Sequence, residues 1–171
     1  MRYPAIAFLL FCTQTIFAQS TFPSDWAGSW KGRLLWYNGT GKEPKIVEMQ
    51  LNIRKGDTSW TWQLTYGKPG EDNRPYSLIA IDSTKGHWAI NEHNGIILDQ
   101  FFLANRLTGA FTVGSNTIIN SYELRGDSLI VEFNSLQAKP INVTGLGTED
   151  SPKVENYRVQ GFQRAVLKRE G

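Results

Sequence analysis

The chain has 171 residues, with 18 lysines and arginines against 16 acidic residues and a single cysteine. That length suits one domain, usually about 100 to 200 residues. The scattered, nearly balanced charge lacks the concentrated basic footprint of nucleic-acid binding, so no nucleic-acid partner is expected. One cysteine excludes both a framework of intrachain disulfides and a thiolate metal cluster.

The first residues, MRYPAIAFLLFCTQTIFAQS, have the layout of a secretory signal peptide. Arg2 precedes an apolar run from Ala5 to Cys12, and the small Ala18 stands before Gln19. A transmembrane helix needs about 20 predominantly apolar residues, and Thr13, Gln14 and Thr15 interrupt the run too early. A lipoprotein signal using Cys12 is the rival reading, and the bulky Phe11 before it argues against that. Residues 1–18 are therefore expected to be cleaved. The mature chain, 19–171, is expected to be one exported domain, periplasmic or extracellular, with no transmembrane segment.

Beyond Gln19 the pattern has period two. The segment Gln19–Trp26 is long enough only for a short turn or a plug. In GSWKGRLLWY, Trp30, Gly32, Leu34 and Trp36 alternate with Lys31, Arg33, Leu35 and Tyr37. In KIVEMQLNI, Val47, Met49, Leu51 and Ile53 alternate with polar residues, and in SWTWQLTY so do Trp60, Trp62, Leu64 and Tyr66. Such alternation marks strands with one buried and one wet face. Further strands are predicted at 76–82, 87–92, 96–104, 107–113, 117–124, 129–133 and 154–167, the last divided or bulged near Gly161. The turn signals GKPGEDNRP, STKG, NG, NR, GSN and RGD lie between them. Asn38-Gly-Thr and Asn142-Val-Thr match the glycosylation acceptor pattern, which matters only in a pathway that glycosylates such sites.

Tight links between successive strands describe an up-and-down meander. Left open, it would expose unpaired backbone groups on both outer strands, and closing the sheet removes them. The long segment VENYRVQGFQRAVL can pair back against the first strand. The expected fold is an all-β, up-and-down antiparallel barrel of about eight to ten strands, with a sandwich as the alternative. Trp26, Trp30 and Trp36 are expected to close and fill one end.

The segment DWAGSW places a glycine two residues before Trp30 at the start of the first strand. It resembles the Gly-x-Trp signature of lipocalins and related calycin barrels, which marks the closed end of the barrel. The resemblance implies that Gly28 and Trp30 form the barrel floor. The strand count is similar to that of the ten-stranded lipid-binding and haem-binding calycins, whose ligands include fatty acids, retinoids and porphyrins. The mid-chain Asp-then-Tyr signature of lipocalins has no counterpart here.

Residues with chemical potential are sparse. His87 and His93 are six apart on one strand face, about 20 Å along an extended chain. Shared metal coordination is thereby excluded, since a site needs three or more converging ligands. Asp99 reaches His93 only if the Asn94–Gly95 turn aligns them. Asp82, Glu92 and Asp99 are carboxylates within strand sequence, and Glu92 shares the inward parity of Trp88 and Ile90. A carboxyl in an apolar pocket acquires a raised pKa. No nucleophile elbow, zincin or phosphate-loop pattern is present, so no metal, cofactor or catalytic residue is assigned.

The function these features favour is the binding of a small apolar or amphipathic molecule inside the barrel. A protein-interaction barrel with a filled core is the alternative, and an enzyme using barrel carboxylates the third reading. The candidate pocket residues are Trp36, Met49, Trp60, Trp62, Leu64, Tyr76 and Phe111, with Glu92, His93 and Asp99 as polar candidates.

Overall fold

The computed structural model describes residues 21–39, 41–68 and 70–171. The expected signal segment, 1–18, and Cys12 lie outside the described residues. The chain forms a closed barrel of ten antiparallel strands. They are β1 (Gly28–Asn38), β2 (Lys45–Lys55), β3 (Trp60–Tyr66), β4 (Asp72–Asp82), β5 (His87–Asn91), β6 (Ile97–Leu103), β7 (Arg106–Val113), β8 (Asn116–Arg125), β9 (Ser128–Gln137) and β12 (Val159–Arg169). A small ribbon, β10 (Asn142–Thr144) with β11 (Val154–Asn156), is inserted between the last two barrel strands. Neighbours in sequence pair from β1 to β9, β12 pairs with β9, and β12 then closes on β1. The sandwich alternative is thereby replaced by a fully closed, up-and-down barrel.

The closing seam runs in unbroken register from Trp30 opposite Arg169 to Asn38 opposite Gly161. Gly32 makes it possible: a Cβ there would stand 2.4 Å from the Val166 carbonyl oxygen and 3.2 Å from the Leu167 Cα. The absence of a side chain lets β1 and β12 approach closely where the barrel curves. Near Gly161 the pairing of β12 with β9 shifts between Val159 and Gly161, and β11 is a separate strand. The 154–167 segment is therefore both divided and bulged.

Directly opposed residues in an antiparallel ladder share a face, so one inward face continues around the barrel, apart from the register shifts near Asp82 and Gly161. Trp62 lies opposite Tyr76, Leu78 opposite Ile90, Trp88 opposite Gln100, Leu107 opposite Tyr122, Val131 opposite Ala165, and Leu34 opposite Ala165 on the other side. These inward residues make one core, in which Trp26, Trp30, Met49, Leu51, Ile53, Trp62, Leu78, Leu107, Leu129 and Leu167 have no exposed surface.

One end of that core is sealed. A short 3-10 turn, Ser24–Trp26, folds under the barrel and brings Phe22 and Trp26 against the ends of the strands. Phe22 stacks on Phe102 at 4.5 Å and meets Trp26 and Trp88 edge-on at 4.8 and 5.1 Å. Trp30 donates its indole N–H to the Trp26 carbonyl at 2.9 Å. From outside, the Arg169 guanidinium covers the Trp30 ring at 4.4 Å and donates to the carbonyls of Asp25 and Ala27. Gly28 holds φ at +145°, and a Cβ there would meet Arg169 Nη1 at 3.0 Å. The first residues of the described chain thus act as a plug, and the last barrel strand holds it in place.

Trp36 departs from the sequence expectation. It keeps the inward parity of Trp30 but stands six residues along β1, at the opposite end, where it is 38% exposed. Parity assigns a face and leaves height along the barrel open, so only Trp26 and Trp30 belong to the floor. β4 also begins earlier than expected, at Asp72. Pro75 resembles a strand boundary, yet it is tolerated because β5 pairs with β4 only from Ser77 onward. The Asp72–Tyr76 stretch has β3 alone as its partner, an edge position of the kind in which a missing N–H costs no ladder bond.

Candidate functional site

The end opposite the plug is open. Toward that end the barrel opens into a cavity of about 990 Å³. Leu34, Trp36, Val47, Phe111, Ile118 and Phe133 supply its apolar wall. Lys45, Glu48, Lys68, Glu71, Asp72 and Arg74 stand around the β1–β2 and β3–β4 side of its mouth. A smaller chamber of about 80 Å³ continues inward, lined by Leu64, Tyr76, Ile90, Leu98, Gln100, Asn120 and Tyr122. Tyr66, Arg74, Glu92, Phe111 and Phe133 border both spaces. The larger volume falls at the top of the range of about 300 to 1,000 Å³ usual for small-molecule sites.

Arg74 borders both spaces, and its charge is already matched. Its Nε and Nη2 donate to the two Asp72 carboxylate oxygens at 3.0 and 2.9 Å. Those hydrogen bonds hold the Asp72 carboxyl below the usual carboxylate range and raise the guanidinium pKa further. The same guanidinium lies over the Tyr66 ring at 4.9 Å. Burial pushes the Tyr66 phenol up to about 12, and it raises Tyr122 as well. Tyr76 is raised first by burial and then by the charge of Glu92. All three phenols therefore stay protonated near neutrality and can donate hydrogen bonds into the cavity wall.

The lower chamber has an amide floor. Gln100, Gly109 and Asn120 share inward parity on β6, β7 and β8, and Gly109 faces Asn120 directly. With no side chain on Gly109, the two amides pair over it: Asn120 Nδ2 donates to Gln100 Oε1 at 2.7 Å, and Gln100 Nε2 donates back at 3.4 Å. A Cβ on Gly109 would stand 2.3 Å from Gln100 Nε2 and 2.6 Å from the Asp99 carbonyl. Gln100 and Asn120 are essentially unexposed, and a buried amide is tolerated only when hydrogen-bonded.

The sequence-predicted residues separate by height. Trp36 and Phe111 line the large cavity, and Leu64, Tyr76 and Phe111 line the small one. Met49 and Trp62 are fully buried and belong to the packed core beneath it. Trp60 packs against that core nearer the plug. These three share the inward face but sit below the point where the barrel opens. Glu92 borders both spaces.

His93 and Asp99 are elsewhere. His93 lies just past β5 with φ at +60°, exposed, and its Nε2 is 2.8 Å from Ser77 Oγ. Asp99 points away from the cavity and meets His87 Nε2 at 2.7 Å, with His87 stacked on Phe101 at 4.8 Å. The turn thus brings Asp99 to the first histidine, because His87 lies two residues from Ala89, which opposes Asp99 across the β5–β6 ladder. Asp82 is at the plugged end, where it accepts from Thr84 Oγ1 at 2.6 Å and pairs with Lys85 at 3.0 Å. The three carboxylates do not converge. Among the described residues no group of three or more metal-ligating side chains gathers.

Sequence patterning names none of Arg74, Ile118, Phe133, Gln100 and Asn120 as lining residues, and it gives Tyr66 an inward face without assigning it to the pocket. The signal for Arg74 was its parity with Tyr76 and Leu78, obscured by Pro75.

No protein-family model matches the chain, and no curated protein matches it. Its fold is similar to the crystal structure of a protein of unknown function from the DUF3598 family of Nostoc punctiforme PCC 73102. The TM-score is 0.61 at 13% identity, over 86% of this chain and 48% of that one. The chain thus spans about half the length of that structure, and the likeness is one of fold alone.

Proposed function

We propose that this chain is an exported, calycin-type binding protein that holds a small apolar or amphipathic molecule in the open half of its barrel. The observation that carries this reading is the cavity of about 990 Å³ standing above a plugged and fully packed floor. A barrel whose only task was to hold its own shape would gain about 25 cal/mol for each Å² of apolar surface that further packing removed from water. Here Trp36, Phe111, Ile118 and Phe133 instead face an accessible space.

Intrinsic fluorescence tests this directly, since Trp36 stands in the cavity wall. Apolar and amphipathic molecules of graded size should quench or shift its emission saturably at one site. Ile118→Arg places a charge midway up the wall, where desolvating it is costly, and should weaken binding at least about tenfold, or about 1.4 kcal/mol. Saturable binding that ignores Ile118→Arg would place the ligand elsewhere and remove the cavity reading. The exported part of the proposal has its own readout. Intact-mass measurement of the protein from its native compartment should give a chain starting near Gln19, whereas retained residues 1–18 or a lipid on Cys12 would contradict it.

A protein-interaction role is the second reading, and the β10–β11 ribbon favours it. Ile141, Val143, Leu146, Val154 and Tyr157 on and beside that ribbon are all more than 40% exposed. Removal of the ribbon's apolar side chains would leave cavity binding intact and abolish such an interaction.

A further inference from the structure

Resting on the cavity reading, we infer that the ligand is an amphiphile with a cationic, hydrogen-bond-donating amine head, and that the Glu92 carboxylate receives that head. Two charged side chains, Arg74 and Glu92, border both the large cavity and the chamber below it. Arg74 is neutralised by two hydrogen bonds to Asp72. Glu92 is matched by no cation: among the described residues it makes no ion pair, and it accepts hydrogen bonds from neutral donors, Asn94 Nδ2 at 3.3 Å and the Tyr76 phenol. The junction of the two spaces therefore carries an unmatched negative charge. Lys45 and Lys68 are exposed at the outer rim, where water and salt screen them.

The surrounding groups agree with that sign. Tyr66, Tyr76, Phe111 and Phe133 are the aromatic neighbours of this junction, and ring faces attract cations. Below it, each amide of the Gln100–Asn120 pair has one lone-pair direction of its oxygen beyond the mutual bond. In the wall of the large cavity, the Gln160 Oε1 is enclosed and accepts from no donor. A carboxylate head would instead meet Glu92 with like charge, and the Arg74 charge beside it is already balanced by Asp72. The chamber's volume of about 80 Å³ admits a head of a few heavy atoms, water occupying about 30 Å³ per molecule in the liquid.

The test compares dodecylamine, dodecanol and dodecanoate, all below their micelle-forming concentrations, on the full chain at neutral pH and about 0.15 M salt. Calorimetry and tryptophan fluorescence give the affinities for the unsubstituted protein and for Glu92→Gln, whose urea midpoint serves as the folding control. Dodecylamine is expected to bind at least about tenfold more tightly than dodecanoate. Glu92→Gln should weaken dodecylamine about tenfold and leave dodecanol within about twofold. Dodecanoate binding as well as or better than dodecylamine, or a Glu92→Gln protein with an unchanged ratio, would overturn the head assignment while the cavity reading stands. If none of the three binds, the cavity reading itself fails for chain amphiphiles, and the head assignment falls with it.

Discussion

Replacing Trp30 by alanine is expected to lower the stability of the barrel by about 3 to 5 kcal/mol, the range for deleting a large buried aromatic side chain. Trp30 has no exposed surface. Its loss opens a void at the floor, leaves the Trp26 carbonyl without its 2.9 Å donor, and strips Arg169 of the ring it covers at 4.4 Å. Void and hydrogen bond act in the same direction, because the plug reaches the barrel wall through this residue. Urea unfolding followed by circular dichroism measures the loss. A change below about 1 kcal/mol would mean that the plug contributes little to the fold.

Gly32→Val should be comparably damaging for a different reason. Here nothing is removed; a side chain is forced into the seam. With the added Cβ only 2.4 Å from the Val166 carbonyl oxygen, the obstacle is backbone, which cannot turn aside as a side chain does. Overpacking typically costs about 1 to 3 kcal/mol and at times more. The seam has no relaxed alternative, so a loss of about 3 kcal/mol or more is expected, roughly 10 °C in melting temperature for a domain of this size. Gly41→Ala in the β1–β2 loop is the comparison, since its nearest contact is at 3.3 Å. Equal melting temperatures for the two variants would show that the seam accommodates a side chain.

Much of this architecture was legible because alternation is a local property. Val47, Met49, Leu51 and Ile53 announce both a strand and its inner face, and the same holds for Trp60, Trp62, Leu64 and Tyr66. Closure followed from the physics of bare edges together with a long final segment. Height along the barrel was not legible. Trp30 and Trp36 have equal parity, yet one is in the floor and the other at the mouth, because height depends on the stagger of each strand against its neighbours. The same limit placed Met49, Trp60 and Trp62 among pocket candidates when the cavity begins above them. Arg74 was hidden by Pro75, which breaks a strand everywhere except at an unpaired edge. The Gln100–Asn120 pair joins residues on different strands across a glycine, a relation no single segment displays. The β10–β11 ribbon has only three residues per strand, too few for alternation to be seen.

The manner of closure also governs how this chain reaches its fold. From β1 to β9 every ladder joins neighbours in sequence, so each pairing closes only a short loop and forms at small entropic cost. The seam is the exception, for it joins Trp30 to Arg169 across nearly the whole described chain. Contacts of such long range are slow to form, which makes the seam the natural last event. Until the 11 residues of β12 dock, the chain is a curved open sheet with β1 bare along one side and β9 along the other. Both edges invite pairing with another molecule. Synthesis delivers β12 after every other barrel strand, so the interval between completing β9 and docking β12 is when this protein is most exposed to self-association.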